Sequence, residues 1–352
     1  EAFQVVLPGF SSPEWSIKNS SMMCYTVLIR RAVVSSDRKT RLQSSGKEFF
    51  HRYPKLLPFI LSTLQAAVES ARTHSFSTLP ELQPVLLLLS RLRPSPPSQD
   101  GPDLYSLAPF ILESAASPLY MARSMAARSL LSVLVPPQVV PQLQSLLTFL
   151  QTSCTPSTVR CTSNCMHGVL LQAQSLLQHA MERGYLVSTD RHIASTAGST
   201  MDGVETVGLG SLMEIYGEFV SVTLAHNQVC ALNKLEIARL AMHFMHSAEQ
   251  VAGMEELSRF RQRVVQGTGE ACDCLQLSHC NVLHFSCMQP GRVECVEECC
   301  RCLLMAVGHE SALLADTIAS LLDANQELLL KVSAMRACNQ LLAYAMQGEQ
   351  IG

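Results

Sequence analysis

The chain has 352 residues, 47% of them hydrophobic and 16% charged, with a formal net charge of −3. That is too apolar for a disordered chain, and long enough for two or three compact domains or one extended array. The small negative charge excludes a generally basic nucleic-acid coat, though not a local basic patch. The charge is also uneven. Residues 1–93 carry 12 Lys/Arg against 6 Asp/Glu, residues 94–269 carry 10 against 13, and residues 270–352 carry 4 against 10. No apolar run reaches the roughly 18–20 residues of a membrane span; Pro84–Ser90 and Leu313–Leu322 are the densest. The chain opens at Glu1 with neither Met nor a signal-peptide pattern. The expectation is a piece of a longer, cytoplasmic protein whose 14 cysteines are reduced thiols.

Taken in order, the segments read as helices. Leu, Ala, Met, Gln and Ser dominate, and alternation of period two is scarce. Breakers fall between the helical stretches. Pro54 and Pro58 bracket a helix start, and the Pro-rich run from Arg93 to Asp103 marks a loop. Pro136, Pro137 and Pro141 mark another, and Gly267–Gly269 and Pro290–Gly291 punctuate the last third. Ser188–Gly210, rich in Ser, Thr and Gly, is the best domain boundary. The expected organisation is a helical-repeat segment over 1–183, a loop or boundary over 184–210, and further helical repeats over 211–352.

Four stretches align without gaps: Ser11–Met23, Ala116–Arg128, Leu232–Phe244 and Ala324–Arg336. Each has Ser or Asn at one offset (Ser12, Ser117, Asn233, Asn325) and a base six residues on (Lys18, Arg123, Arg239, Lys331). Ser and Asn cap helix N-termini, and the intervening apolar residues share one stripe. This pattern resembles the second helix of HEAT or armadillo repeats. The predicted class is all-α, an α-solenoid of stacked helix pairs.

No Walker loop, dinucleotide fingerprint, nucleophile elbow or zinc-protease motif occurs. The Cys-rich stretch 272–302 offers soft ligands, but Cys272 and Cys274 have one residue between them, too few for a zinc knuckle. Buried thiols are the expected reading, with no metal. His167 beside Gly168 reads as a packing or helix-end residue. The sharpest functional cue is basic: Arg30, Arg31, Arg38, Lys39, Arg41, Lys47 and Arg52 bracket the polar run Ser35–Gly46. Clustered cations bind phosphates. The aromatic run Phe49, Phe50, His51 and Tyr53 has two readings, bases stacking on it or a buried helix stripe.

Three stretches together resemble a known family. They are PEWSIKNSSMMCYTVLIRR with GKEFFHRYPKLLPFIL, then SPLYMARSMAARSLLSVLV, then SNCMHGVLLQAQSLL, spanning about residues 11–177. In this order they look like the thyroid adenoma-associated protein (THADA) family and its fungal relatives, auxiliary subunits of a tRNA ribose methyltransferase. The resemblance implies a non-catalytic helical scaffold that partners a FtsJ-type methyltransferase. Together they would direct 2′-O-methylation of ribose 32 in the tRNA anticodon loop. It implies no cofactor in this chain, with S-adenosylmethionine held by the partner enzyme. Trp15, Lys18, Asn19, Ser20, Arg123, Asn164, His167 and Gly168 fall on its motif positions and are expected to be structural. The family's Arg–Arg–Ser–Ala–Gly motif does not occur here, so this piece is expected to act within a longer protein. The alternative function is a HEAT-type protein scaffold without RNA contact.

Overall fold

The computed structural model describes residues 1–33, 43–73, 80–96, 100–154, 161–186, 208–224, 229–251 and 254–276, together with Cys302 and Met305. Among them one extended pairing has both partners described, an isolated bridge between Ser45 and Arg93. The rest of the regular structure is helical, in agreement with the all-α reading. The helices are α1 (Ala2–Val6), α2 (Trp15–Ala32), α3 (Gly46–Arg52), α4 (Leu56–Thr73), α5 (Leu82–Ser90) and α6 (Ala108–Glu113). They continue with α7 (Tyr120–Val133), α8 (Pro136–Ser153), α9 (Ser163–Glu182), α10 (Leu209–Thr223), α11 (Ala231–Val251) and α12 (Met254–Gln276).

Two compact units emerge. The first takes Glu1–Leu143 and Asn164–Arg183, and the second takes Gln144–Ser163 and the described residues from Gly184 onward. One boundary between the units falls inside α8 and others follow at 163/164 and 183/184, so neither unit is a contiguous stretch of sequence.

In the first unit, α5 is the central helix. Its sequence LQPVLLLLS is apolar nearly all round, and Leu82, Pro84, Val85, Leu86, Leu88 and Leu89 are all buried. A helix with apolar residues on every face has to be enclosed. Helix α7 encloses one side with Ala122, Ala126, Ala127 and Ser129, whose small size lets the two backbones approach. Ser129 Oγ donates to Leu86 O across that contact at 2.8 Å. Gly46, at the start of α3, lies so close to the end of α7 that a Cβ there would sit 2.2 Å from Ser132 O. Around Phe49, the rings of Phe3, Phe50 and Tyr53 pack at tilted or edge-to-face angles, and Tyr25 joins through Phe3.

The second unit centres on Tyr216 of α10, packed with Phe219, Phe244 and Phe260. Its hydroxyl donates to Ile237 O at 2.8 Å. Burial holds the phenol well above its usual titration range, so it stays a donor.

Two breaker readings are corrected. Pro136, Pro137 and Pro141 do not form a loop but lie in α8. Proline suits the first helical positions, and one internal proline costs a hydrogen bond that packing on both sides offsets. Likewise α12 runs through Gly267 and Gly269. The repeat alignment keeps part of its meaning. Ser12 and Ser117 each accept the N–H of the residue two places on, Glu14 at 3.2 Å and Leu119 at 3.3 Å, just ahead of α2 and α7. They thus order the residue that precedes each helix instead of capping the helix itself. Asn233 lies inside α11, and its amide donates to Ser163 O and Ser163 Oγ, both at 3.1 Å. The fourth copy, with Asn325 and Lys331, lies outside the described residues.

Candidate nucleic-acid interface

Arg30 and Arg31 occupy the last turn of α2 and are exposed. That end of a helix carries the negative pole of the backbone dipole, which favours cations there. Helix α2 contains no acidic residue. Arg38, Lys39 and Arg41 lie outside the described residues, but both flanks of their segment are visible. Ser44 N–H donates to Val33 O at 2.7 Å, so the two flanks meet. Arg93 N–H donates to Ser44 O at 2.9 Å, and Gly46 N–H donates to Arg93 O at 3.0 Å. Arg93 Nε also donates to Gln43 O. Arg91 and Arg93, both exposed, thereby join Arg30 and Arg31 around one neck. The sequence reading missed this pair, because a bridge across 48 residues leaves no local signature.

The remaining basic residues are differently placed. Lys47 is half-buried, its N–H donates to Ser95 Oγ at 3.0 Å, and Gly101 lies against its stem. Ser45 Oγ caps α3 by accepting Glu48 N–H at 3.2 Å. Arg52 pairs with Glu48 at 2.8 Å, donates to Ala32 O and Ser44 Oγ at 3.5 Å, and covers the Tyr53 ring. Its guanidinium ties the end of α2 to the neck. Phe49 and Phe50 are fully buried, so of the two readings core packing holds for them; His51 is exposed and Tyr53 half-buried.

The motif positions divide by face. Trp15 is 76% exposed, and Lys18 and Ser20 are exposed too, because α2 buries only Tyr25 and Ala32. Asn19 is half-buried and reaches the sulfur of Met23. Arg123, Asn164, His167 and Gly168 instead assemble where α9 crosses the turn Ser114–Ala116 and the start of α7. Arg123 is 6% exposed, and its Nη1 donates to Ser117 O at 2.7 Å, Pro118 O at 3.1 Å and Asn164 Oδ1 at 3.0 Å. One buried guanidinium thus gathers the carbonyls that lead into α7 and the start of α9. Gly168 sits on Ala115, and Gln172 Nε2 donates to Ile111 O at 3.1 Å.

His167 is 4% exposed, edge-on to Tyr120, and its buried Nδ1 has no hydrogen-bond partner. Burial first, and the Arg123 charge second, lower its pKa from 6.5 to about 4. It is neutral in the fold and protonates more easily unfolded. The unfolded chain therefore binds more protons between those values, and stability must fall as pH drops from 6.5 towards 4. We expect a loss of about 2 kcal/mol across that window, discounted for partial solvation, with no further loss from this group below it. Thermal melts at stepped pH measure it. His167→Phe should flatten that part of the profile, and an unchanged slope would assign the pH dependence elsewhere.

Among the described residues no group of three His, Cys, Asp or Glu side chains could hold a metal ion, and no helix is long and apolar enough to cross a membrane.

Residues 18–176 match the family model described as Trm732, C-terminal TPR repeats. Over that stretch the chain is similar to the THADA/Trm732 family. The helical-hairpin repeats of that family agree with the fold seen here, under the TPR description instead of HEAT or armadillo. The chain is 35% identical over 191 residues to the tRNA (32-2′-O)-methyltransferase regulator THADA of Canis lupus familiaris, covering 51% of this chain and 10% of that protein. It is 37% identical over 183 residues to the Mus musculus THADA, covering 48% and 9%. It is 30% identical over 142 residues to the tRNA (32-2′-O)-methyltransferase regulator trm732 of Schizosaccharomyces pombe, covering 38% and 9%. The match to these THADA/Trm732 proteins spans about a tenth of their length. No solved structure matches the chain.

Proposed function

We propose that this chain is part of a non-catalytic regulator of a tRNA 2′-O-methyltransferase. The regulator names of the relatives support that role. On this reading the partner is a FtsJ-type enzyme that holds S-adenosylmethionine. The target is ribose 32 of the anticodon stem-loop, and the setting is cytoplasmic. This chain contributes shape and charge. The observation that carries an RNA contact is the neck at Val33 and Ser44, which groups Arg30, Arg31, Arg91 and Arg93 beside the segment holding Arg38, Lys39 and Arg41. Phosphates displacing counterions from such a cluster bind with strong salt dependence. Holding one ribose in place for the partner enzyme then supplies orientation, which is worth several kcal/mol of a barrier.

The test is complementation. The full-length parent of this chain, expressed in cells lacking their own regulator, should restore methylation at position 32. The triple variant Arg38→Glu, Lys39→Glu, Arg41→Glu should lower it at least tenfold while still binding the enzyme. In vitro, the variant should also show a shallower dependence of RNA affinity on salt. Full methylation by the variant would remove the basic segment from the mechanism.

A protein-only scaffold is the second reading. Trp15, Met22, Met23 and Val27 form an exposed stripe on α2, a surface suited to a protein partner. RNA affinity that does not change with salt, together with retained enzyme binding, would favour it.

A further inference from the structure

The sulfurs of Cys154 and Cys161 lie 2.8 Å apart. Cys154 closes α8, its N–H donating to Leu150 O at 3.1 Å, and its side chain is 2% exposed. Cys161 lies two residues before α9 and is half-buried, with its sulfur 3.5 Å from Thr162 O. Both belong to the second unit. A disulfide bond is about 2.05 Å long, so only a small closure separates this pair from one. The sequence reading counted both only among the 14 reduced thiols. It did not anticipate two thiols facing each other between the end of α8 and the start of α9, one buried and one half-buried.

We propose that Cys154 and Cys161 form a reversible, peroxide-sensitive disulfide that ties the end of α8 to the residues just before α9. The oxidant is hydrogen peroxide or an organic hydroperoxide. The Cys161 thiolate attacks a peroxide oxygen; the S–O bond forms, the O–O bond breaks, and the leaving oxygen takes a proton to become water or an alcohol. Cys161 is then a sulfenic acid. The Cys154 sulfur attacks the Cys161 sulfur; the S–S bond forms, the S–O bond breaks, and hydroxide leaves with the Cys154 proton as water. The two thiols lose two electrons and two protons in total, and the peroxide is reduced. A dithiol reverses the reaction by exchange. Oxidation at the less buried sulfur of Cys161 first, with the buried Cys154 resolving it, is the order that the two exposures dictate. The bond ties the end of α8 to the start of α9 without requiring either helix to move far.

Two other thiols compete. Cys165 follows Cys161 by four residues, and Cys230 lies 3.1 Å from Ser163 Oγ. The experiment therefore has to identify the partner. The full chain, reduced and desalted, is treated with hydrogen peroxide from one to ten equivalents, blocked with a maleimide and digested with trypsin. Cleavage after Arg160 separates the two cysteines, so their bond appears as a linked peptide pair two hydrogens lighter, lost on adding dithiothreitol. The expected product is Cys154–Cys161 at the lowest peroxide dose, with a rise of several degrees in Tm that dithiothreitol abolishes. Cys154→Ser should leave Cys161 as a sulfenic acid trapped by dimedone. Cys161→Ser, at a half-exposed position that tolerates the change, should leave Cys154 unlinked and maleimide-reactive only on unfolding. A bond from Cys161 to Cys165 or Cys230 would overturn the assignment, as would oxidation to sulfinic acid with no link.

Discussion

Gly168→Ala is expected to destabilise the first unit by about 3 kcal/mol, lowering Tm by roughly 10 °C. The sign is the informative part. Gly168 is interior to α9, where replacing glycine by alanine ordinarily stabilises a helix by about 1 kcal/mol. Here a Cβ would stand 2.1 Å from Ala115 O, 2.6 Å from Ala115 Cα and 2.7 Å from Ala115 C. All three are backbone atoms of the turn Ser114–Ala116, and that turn is itself held by Ser114 Oγ donating to Phe110 O at 2.8 Å. No side-chain rotation can relieve the clash, so α9 has to lift from the turn. Lifting would also stretch the Gln172 bond to Ile111 O one helical turn further on. Urea or thermal unfolding of the variant measures the effect, and a stabilised variant would show that α9 does not rest on this turn.

Arg123→Ala is expected to cost about 3 kcal/mol, and Arg123→Lys nearly as much. Nη1 alone serves three oxygens, at 2.7, 3.0 and 3.1 Å. Each is a charge-assisted bond, and of the acceptor residues left behind Ser117 is buried and Asn164 half-buried, while Pro118 is exposed and open to water. Lysine ends one atom short of the Nη1 position, so its ammonium cannot reach the oxygens at the start of α7 and of α9 together. A second readout separates this from simple loss of packing. The Arg123 charge is one of the two causes that depress the His167 pKa, so removing it should raise that pKa while burial still holds it below 6.5. NMR titration of the imidazole checks this; an unmoved His167 would mean that the two groups do not sense each other.

Both predictions concern residues set in motif positions, and they show what could and could not be read in advance. Arg123 and Lys18 hold equivalent places in the aligned stretches, six residues after Ser117 and Ser12. Arg123 is buried and Lys18 is exposed. The pattern is local, whereas burial depends on what crosses the helix. Helix α9 crosses near Arg123, and within the described residues nothing comparable covers Lys18. The basic run from Arg30 to Arg52 was legible as a cluster because its members are neighbours in sequence. Its division into exposed cations at Arg30 and Arg31 and a tethered one at Arg52 required the Glu48 carboxylate and the Ala32 carbonyl to be placed.

By itself the sequence determined the helical class and the resemblance of residues 11–177 to a repeat family. Helical periodicity, and the serines ahead of α2 and α7, act within a few residues, so they are written locally. Tertiary structure decided where breakers fail to break. Pro141 stays inside α8 because packing of Val139, Val140 and Leu143 outweighs a cost of about 3 kcal/mol, and α12 runs on through Gly269. It also decided which distant residues meet: Arg93 with Ser45 across a single bridge, Arg123 with Asn164, and Tyr216 with Phe244. Those meetings follow from which faces exclude water together, a property of several helices at once that no single stretch of sequence contains.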